Sequence, residues 1–365
     1  MKRKIEVGIL GATGLVGQHF VNLLRDHPWF ELKWLAASER SAQRKYGEAA
    51  SWRLADPMPD NAAKMMVEEC APSHGPQIVF SALDSKVAGE IEAQFAAAGH
   101  LVVSNAGNYR MEPDVPLLVP EINPDHLNLA KQQKTNRRWK GSIVTNPNCS
   151  TVVLTMALAP LDSDFGLRKV LVTTMQAISG AGYPGLPSMD ALGNIIPFIG
   201  GPAKDAQGNP NPLISSEEDK IEQETRKILG QLKNKAVVPA KFLISAQANR
   251  VPVLDGHTES ISVELEAKPS LKDLVRCWNG FRGIPQKRKL PSAPPQPVIF
   301  LVGQDRPQPR LDVMKEGGMA VFVGRARPCA VLQFRFIAMG HNVIRGAAGA
   351  ALLNAELMKS EGWLP

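Results

Sequence analysis

With 365 residues the chain is long enough for two or three domains, and 44% hydrophobic against 21% charged residues is the balance of a soluble globular protein, not of a disordered one. No apolar run approaches the roughly 20 residues that cross a bilayer, which excludes a membrane span. The net charge of +7 comes from scattered basic residues, with local clusters at Lys134 to Arg138 and Gln286 to Lys289. They lack an aromatic or recognition-helix pattern, so nucleic acid is not the expected partner, and small phosphorylated ligands account for the excess equally well.

Met1-Lys2-Arg3-Lys4 is basic, but Ile5-Glu6-Val7-Gly8-Ile9-Leu10 carries a carboxylate and runs into a glycine turn. That reads as a first strand and not as the apolar core of a secretion signal, so the expected compartment is the cytoplasm. The turn is Gly11-Ala12-Thr13-Gly14-Leu15-Val16-Gly17, followed by an amphipathic run from Gln18 to Arg25. Strand, glycine turn and helix let backbone N–H groups approach a pyrophosphate at a helix N-terminus, which predicts a dinucleotide site on Gly11, Thr13, Gly14, Leu15, Val16 and Gly17. A second strand, Leu32 to Ala37, ends in Ser38-Glu39-Arg40-Ser41. An acidic residue there would suit the ribose hydroxyl of NAD, whereas Ser38, Arg40 and Ser41 suit the 2′-phosphate of NADP; with Glu39 turned to solvent, NADP is the expected cofactor.

Alternation continues through Gln77 to Leu83, a helix over Ser85 to Ala98, and His100 to Asn105, extending a doubly wound parallel sheet. Ser81, at the carboxyl end of its strand, joins the expected cofactor contacts, since ligands of such sheets bind there. Pro116 to Glu121 and Ser142 to Thr145 are two more short apolar runs leading to Thr145-Asn146-Pro147-Asn148-Cys149-Ser150-Thr151. Cys149 is thereby expected at a helix start, where free N–H groups and the helix dipole draw a thiol from roughly 8.5 towards neutrality. A buried, inert cysteine is the plain alternative. Cys70, Cys149, Cys277 and Cys329 are far apart with no paired spacing, so neither a zinc site nor a disulfide framework is expected.

From about Leu167 the runs lengthen and favour Val, Thr and Ile, as in Lys169 to Ile178 and Glu259 to Glu266, which predicts a mixed or antiparallel sheet. Gly180 to Pro212, dense in Gly and Pro, reads as a long ordered loop or partner-contact segment, Glu217 to Leu232 as a helix, and Val343 to Lys359 as an Ala-rich helix returning to the first lobe. The expected architecture is α/β: a Rossmann-type parallel-sheet NADP-binding domain of residues 1–147 and 345–365, and an α+β catalytic and dimerisation domain of residues 148–344.

Taken together, the glycine turn, Asn105 to Arg110, Asn146 to Thr151, Gln176 to Gly182, Glu217 to Lys220, Asn249 to Val253, Gly256 to Glu259 and Asn342 to Ala348 make the chain resemble aspartate-β-semialdehyde dehydrogenase, in its fungal and archaeal branch, over nearly its whole length. The resemblance implies NADP-dependent, reversible reductive dephosphorylation of L-4-aspartyl phosphate in lysine, threonine and methionine biosynthesis, by a homodimer or homotetramer. It implies Cys149 as nucleophile, His257 as general acid–base, and Gln176 and Asn148 as orienting groups. Arg250 would hold the substrate α-carboxylate, Glu217 the α-amino group, and Lys220 with Arg110 the phosphate. Asn342 and Gly180 would contact the cofactor. An acyl phosphate is readily reduced once a thiolate displaces phosphate to leave a thioester, an arginine fork matches a carboxylate, and a histidine of pKa about 6.5 exchanges protons near neutrality.

Three other functions share this chemistry or fold. N-acetyl-γ-glutamyl-phosphate reductase looks like NPGC where this chain has Asn148, and malonyl-CoA reductase shares most motifs but has less use for Glu217 and Lys220. A non-catalytic NADP-binding regulatory protein would have no need of Cys149, Gln176, Arg250 and His257 together.

Overall fold

The structure is a computed structural model that describes residues 3–72, 74–205 and 207–364; Met1 and Lys2 of the expected non-signal start, and Pro365 at the end of the expected first domain, lie outside them. Strands β1 (Ile5–Leu10), β2 (Phe30–Ala37), β3 (Val67–Glu69), β4 (Ile78–Ser81), β5 (Leu101–Ser104) and β6 (Ser142–Thr145) form a parallel sheet in the order β3-β2-β1-β4-β5-β6. Strand order reverses between β1 and β4, which leaves a ligand crevice beyond their carboxyl ends. Strands β4, β5 and β6 are buried at every position, as a sheet covered by helices on both faces requires. The helix Ser85–Ala98 matches its expected bounds: Asp84 accepts from the Lys86 N–H at its start, and Gly99, at φ 118°, ends it in the left-handed region. Pro116 to Glu121 forms no strand, and Leu117 makes only a single bridge to Thr145. Pro116 and Pro120 have no N–H to give a ladder.

The second sheet is mixed. It takes β7 (Leu167–Gln176), β8 (Ile196–Pro197), β13 (Leu243–Arg250), β14 (His257–Leu265), β15 (Val298–Leu301), β16 (Val321–Pro328) and β17 (Phe334–Gly340) in the order β15-β16-β17-β14-β7-β13-β8. Two small hairpins, β9 (Pro202–Lys204) with β10 (Pro210–Ser215) and β11 (Gln231–Lys233) with β12 (Ala236–Val238), stand apart from it. Helices Cys149–Phe165, Ser216–Ile228 and Leu271–Gly280 cover one face, with Val153, Ile221 and Trp278 in a shared core with Val172, Ile261 and Phe336. The other face leaves Leu171 and Leu243 exposed.

The final helix, Gly349–Ser360, puts Leu352, Leu353 and Leu357 into the core of the first sheet beside Ile9 and Phe80. That is the return expected of the chain end. Leu290 and Met319 pack into the same core, so the middle of the chain also contributes apolar surface to the first lobe.

Candidate active site

The chain leaves β6 through Asn146-Pro147-Asn148 and enters the helix Cys149–Phe165. Asn148 is the N-cap: its side-chain oxygen accepts from the N–H groups of Ser150 at 2.8 Å and Thr151 at 3.3 Å, a cap that contributes about 1 kcal/mol. Cys149 is therefore the first helical residue. Gly346 crosses directly behind it, so close that a Cβ there would lie 2.7 Å from Cys149 Cβ. In front, Cys149 Sγ lies 3.1 Å from His257 Nε2, and the backbone N–H of Ala177 donates to His257 Nδ1 at 3.0 Å. A backbone amide can only donate, so Nδ1 is unprotonated and the neutral imidazole carries its proton on Nε2, facing the sulfur.

The electrostatics overturn one expectation. Burial, and then the Glu217 carboxylate, push the Cys149 thiol up to about 12, against the opposing pull of Arg250, Arg110 and the Ser150 N–H. Cys149 is half-buried as a residue, but its sulfur is enclosed, and loss of hydration outweighs the helix start. Burial, with Arg250 and His341, holds His257 well below the usual imidazole range. The free site thus pairs a neutral thiol with a neutral imidazole. Gly180 lies at the mouth, where a Cβ would sit 2.8 Å from Arg250 Nη1 and 3.0 Å from His257 Cε1, so only glycine leaves both side chains room.

Amides and charges line the floor. Glu217 Oε1 accepts from Asn148 Nδ2 at 2.7 Å and from Gln176 Nε2 at 3.2 Å, while Gln176 Nε2 also donates to Ser150 Oγ at 2.6 Å. Lys220 Nζ stands 3.5 Å from Glu217 Oε2 with its side chain 40% exposed, which leaves its ammonium open to an arriving anion. Arg250 donates through Nη1 to the Ala177 carbonyl at 2.6 Å, and among the described residues no carboxylate is bonded to it. Arg110 differs from expectation, because its guanidinium is buried and donates to Glu224 Oε1 at 3.1 Å and to the Asn105 carbonyl at 2.7 Å. Asn342 is a brace: its Nδ2 donates to Ser179 Oγ at 2.8 Å and its Oδ1 accepts from the Gly256 N–H at 2.8 Å. It thereby ties the turn after β7 to the turn before His257.

The glycine turn fits a dinucleotide. Gly11 has φ +76°, and a Cβ on Gly17 would meet the Gly11 carbonyl at 2.4 Å. The helix Leu15–Leu23 begins at Gly14 without any side-chain cap, leaving the N–H groups of its first turn for an anion. Thr13, Leu15 and Val16 border this turn and are partly exposed. Ser38 and Arg40 are exposed beyond β2 and Ser41 is half-buried, with Glu39 exposed beside them. Ser81 departs from its expected role. Its hydroxyl is buried towards Glu92 and its carbonyl accepts from Asn105, so it shapes the strand end instead of offering its side chain to the crevice. Among the described residues no group of His, Cys, Asp and Glu is arranged to hold a metal ion.

Sequence reasoning missed Glu224, Lys227, Ser179, Gly346 and the buried Arg345 to Glu121 pair. Glu224 and Lys227 could have been found, because they continue the three- and four-residue spacing of Glu217 and Lys220 along one helical face.

A doubly wound lobe with a glycine turn, joined to a capped thiol, an imidazole and an arginine, defines a thiol-dependent, dinucleotide-linked oxidoreductase. Residues 6–130 match the family model described as semialdehyde dehydrogenase, NAD binding domain, and residues 158–345 match semialdehyde dehydrogenase, dimerisation domain. The chain is 49% identical to the aspartate-semialdehyde dehydrogenase of Methanothermobacter thermautotrophicus over 97% of this chain and 99% of that one. It is 46% identical to that of Schizosaccharomyces pombe, over 98% of each. The structure of the Candida albicans aspartate semialdehyde dehydrogenase with NADP superposes with a TM-score of 0.87 at 42% identity, covering 99% of this chain and all of that one. The chain belongs to the aspartate-semialdehyde dehydrogenase family.

Proposed function

We propose that this protein catalyses the NADP-dependent, reversible reductive dephosphorylation of L-4-aspartyl phosphate to L-aspartate 4-semialdehyde, a step towards lysine, threonine and methionine. The observation that carries this reading is the 3.1 Å approach of Cys149 Sγ to His257 Nε2 with Arg250 at the same mouth.

Cys149 attacks the acyl carbon, its thiol proton leaves with the departing phosphate, and a thioester remains on the sulfur. When bound, NADP serves as the hydride carrier. Because Nε2 already bears its proton, His257 acts first as a hydrogen-bond donor to the oxygen that gathers charge at the tetrahedral carbon. Proton transfer follows as the thiohemiacetal collapses to aldehyde and thiolate. Arg250, which among the described residues is bonded to no carboxylate, holds the α-carboxylate through a paired fork. Glu217, fixed by the amides of Asn148 and Gln176, holds the α-amino group, and Lys220 meets the phosphate. The N–H groups after Gly14 receive the pyrophosphate of the cofactor, and Arg40 with Ser38 and Ser41 takes the 2′-phosphate. The dimerisation-domain match and the exposed apolar face support a homodimer or homotetramer. Four free cysteines support a reducing, cytoplasmic setting.

The test is phosphate-dependent NADP reduction with L-aspartate semialdehyde, run beside N-acetylglutamate semialdehyde and beside NADPH oxidation by malonyl-CoA. Activity with aspartate semialdehyde alone is expected. Preference for malonyl-CoA would keep Cys149 as nucleophile and remove Glu217 and Lys220 from their roles, and silence with every substrate would leave a cofactor-binding regulator.

A further inference from the structure

The helix Ser216–Ile228 carries Glu217, Lys220, Glu224 and Lys227 at spacings of three, four and three, a single stripe of alternating charge on one face. Only the first two are open to a ligand. Glu224 and Lys227 are 1% and 5% exposed and spend their hydrogen bonds inside the protein. Glu224 Oε2 accepts from the backbone N–H of Asn148 at 2.6 Å, while Glu224 Oε1 accepts from Arg110 Nη1 at 3.1 Å. One carboxylate therefore joins the residue that caps the Cys149 helix to the arginine of the 105–115 loop. Lys227, one turn further on, donates to the carbonyls of Arg110, Glu112 and Val115 at 2.7, 2.8 and 3.1 Å. Its three donors are all used, and it holds the backbone of the loop whose side chain Glu224 holds.

Burial of a carboxylate and an ammonium is costly unless each is fully bonded. Packing alone would be served as well by leucine. The bonds made here all end on the nucleophile turn or on the Arg110 loop, and the same rigid helix presents Glu217 and Lys220 to the substrate. We infer that Glu224 is a positioning residue, with Lys227 as its support, that sets the nucleophile turn and the Arg110 guanidinium at a fixed spacing so that attack and phosphate departure share one frame. This rests on the acyl-phosphate reading given above. The buried Arg110 Nε, which has no hydrogen-bond partner among the described residues, is the donor left over for an anion in that frame.

The experiment is a double-mutant cycle of Glu224→Gln and Arg110→Gln in the full-length enzyme, with Lys227→Met alongside, and with Cys149 alkylation by iodoacetamide followed in parallel. Glu224→Gln is expected to lower kcat about tenfold or more and to raise the KM for phosphate, while the KM for aspartate semialdehyde and the affinity for NADPH stay within about twofold. In the double variant the two losses should fail to add, because each removes the same contact. Glu224→Gln also withdraws a negative charge from the nucleophile turn, so the pH midpoint of alkylation should fall even as turnover slows. Strict additivity, or equal changes in every kinetic constant in proportion to lost thermal stability, would overturn the inference. Alkylation needs no substrate, so it reads the positioning role even for an enzyme that acts on another acyl group. Inactivity of the unmutated enzyme with aspartate semialdehyde would instead count against the reaction proposed above.

Discussion

At Cys149 two local effects compete, and their balance is set by the surroundings. The helix start favours thiolate, but enclosure and the Glu217 carboxylate push the thiol up to about 12, so at neutral pH only a small fraction is ionised. Arg250 is the largest of the groups that pull the other way. Arg250→Leu should therefore shift the alkylation of Cys149 to higher pH and slow it at pH 8, besides raising the KM for aspartate semialdehyde; an unchanged alkylation profile would remove Arg250 from the field at the sulfur. Gly346 makes a second residue-scale prediction. Its Cβ would be 2.7 Å from Cys149 Cβ, and both atoms are fixed to backbone, so neither can swing aside. Gly346→Ala should lower kcat at least about tenfold by displacing the sulfur, with circular dichroism unchanged. At this scale the sequence was readable wherever a residue acts through its own chemistry, as Cys149, His257 and Arg250 do. It was silent where a residue acts by lacking an atom opposite something distant in the chain, as Gly346 does.

Elements show where buried polar groups constrain the packing. Arg345 and Glu121 are both buried and meet in a two-pronged pair at 2.7 and 2.8 Å, pinning the π-helical turn Ile344–Ala348 that lies behind Cys149. Arg345→Met would strand the carboxylate and should cost about 3–5 kcal/mol, measured as a fall in the urea midpoint. A second buried acid has no such partner among the described residues. Glu259 follows His257 by two positions on β14 and so faces the same side, with neither carboxyl oxygen hydrogen-bonded. Burial alone raises it well above the usual carboxylate range, so folding favours its protonated form over that in the unfolded chain. The folded state then binds more protons, and this residue's contribution to stability falls as pH rises above the unfolded carboxyl value. Glu259→Gln should therefore raise Tm increasingly from pH 5 to pH 8; a Tm difference independent of pH would contradict an un-ionised Glu259. The strand carrying Glu259 followed from its apolar and β-branched run, whereas the π-helical turn Ile344–Ala348 has no side-chain cap to mark it. The apolar run Pro116 to Glu121 is buried without forming a strand, because its prolines have no N–H to give a ladder.

For the whole molecule, the second sheet leaves Leu171 and Leu243 at 47% and 68% exposure, and the segment between β7 and β13 adds Met189, Leu192, Ile195 and Leu213. Apolar surface in such a concentration marks an interface, and here it belongs to the region matching a dimerisation domain. Replacing Leu171 and Leu243 together by Asp should shift the sedimentation profile to monomers; a wild-type profile would place the interface elsewhere. Among the described residues no helix is long and apolar enough to cross a membrane. Much of this architecture is encoded locally. The glycine turn, the Asn148 cap, the alternation of strand and helix, and the charged stripe beginning at Glu217 depend on neighbours within a few positions, so the chain alone determined them. The ionisation of Cys149, the tautomer of His257 and the pairing of Arg110 with Glu224 depend on groups dozens to more than a hundred residues away, and the inward turn of Ser81 on a carboxylate one helix along the chain. Only tertiary packing decided those, because it sets which charges are stripped of water and what stands opposite them.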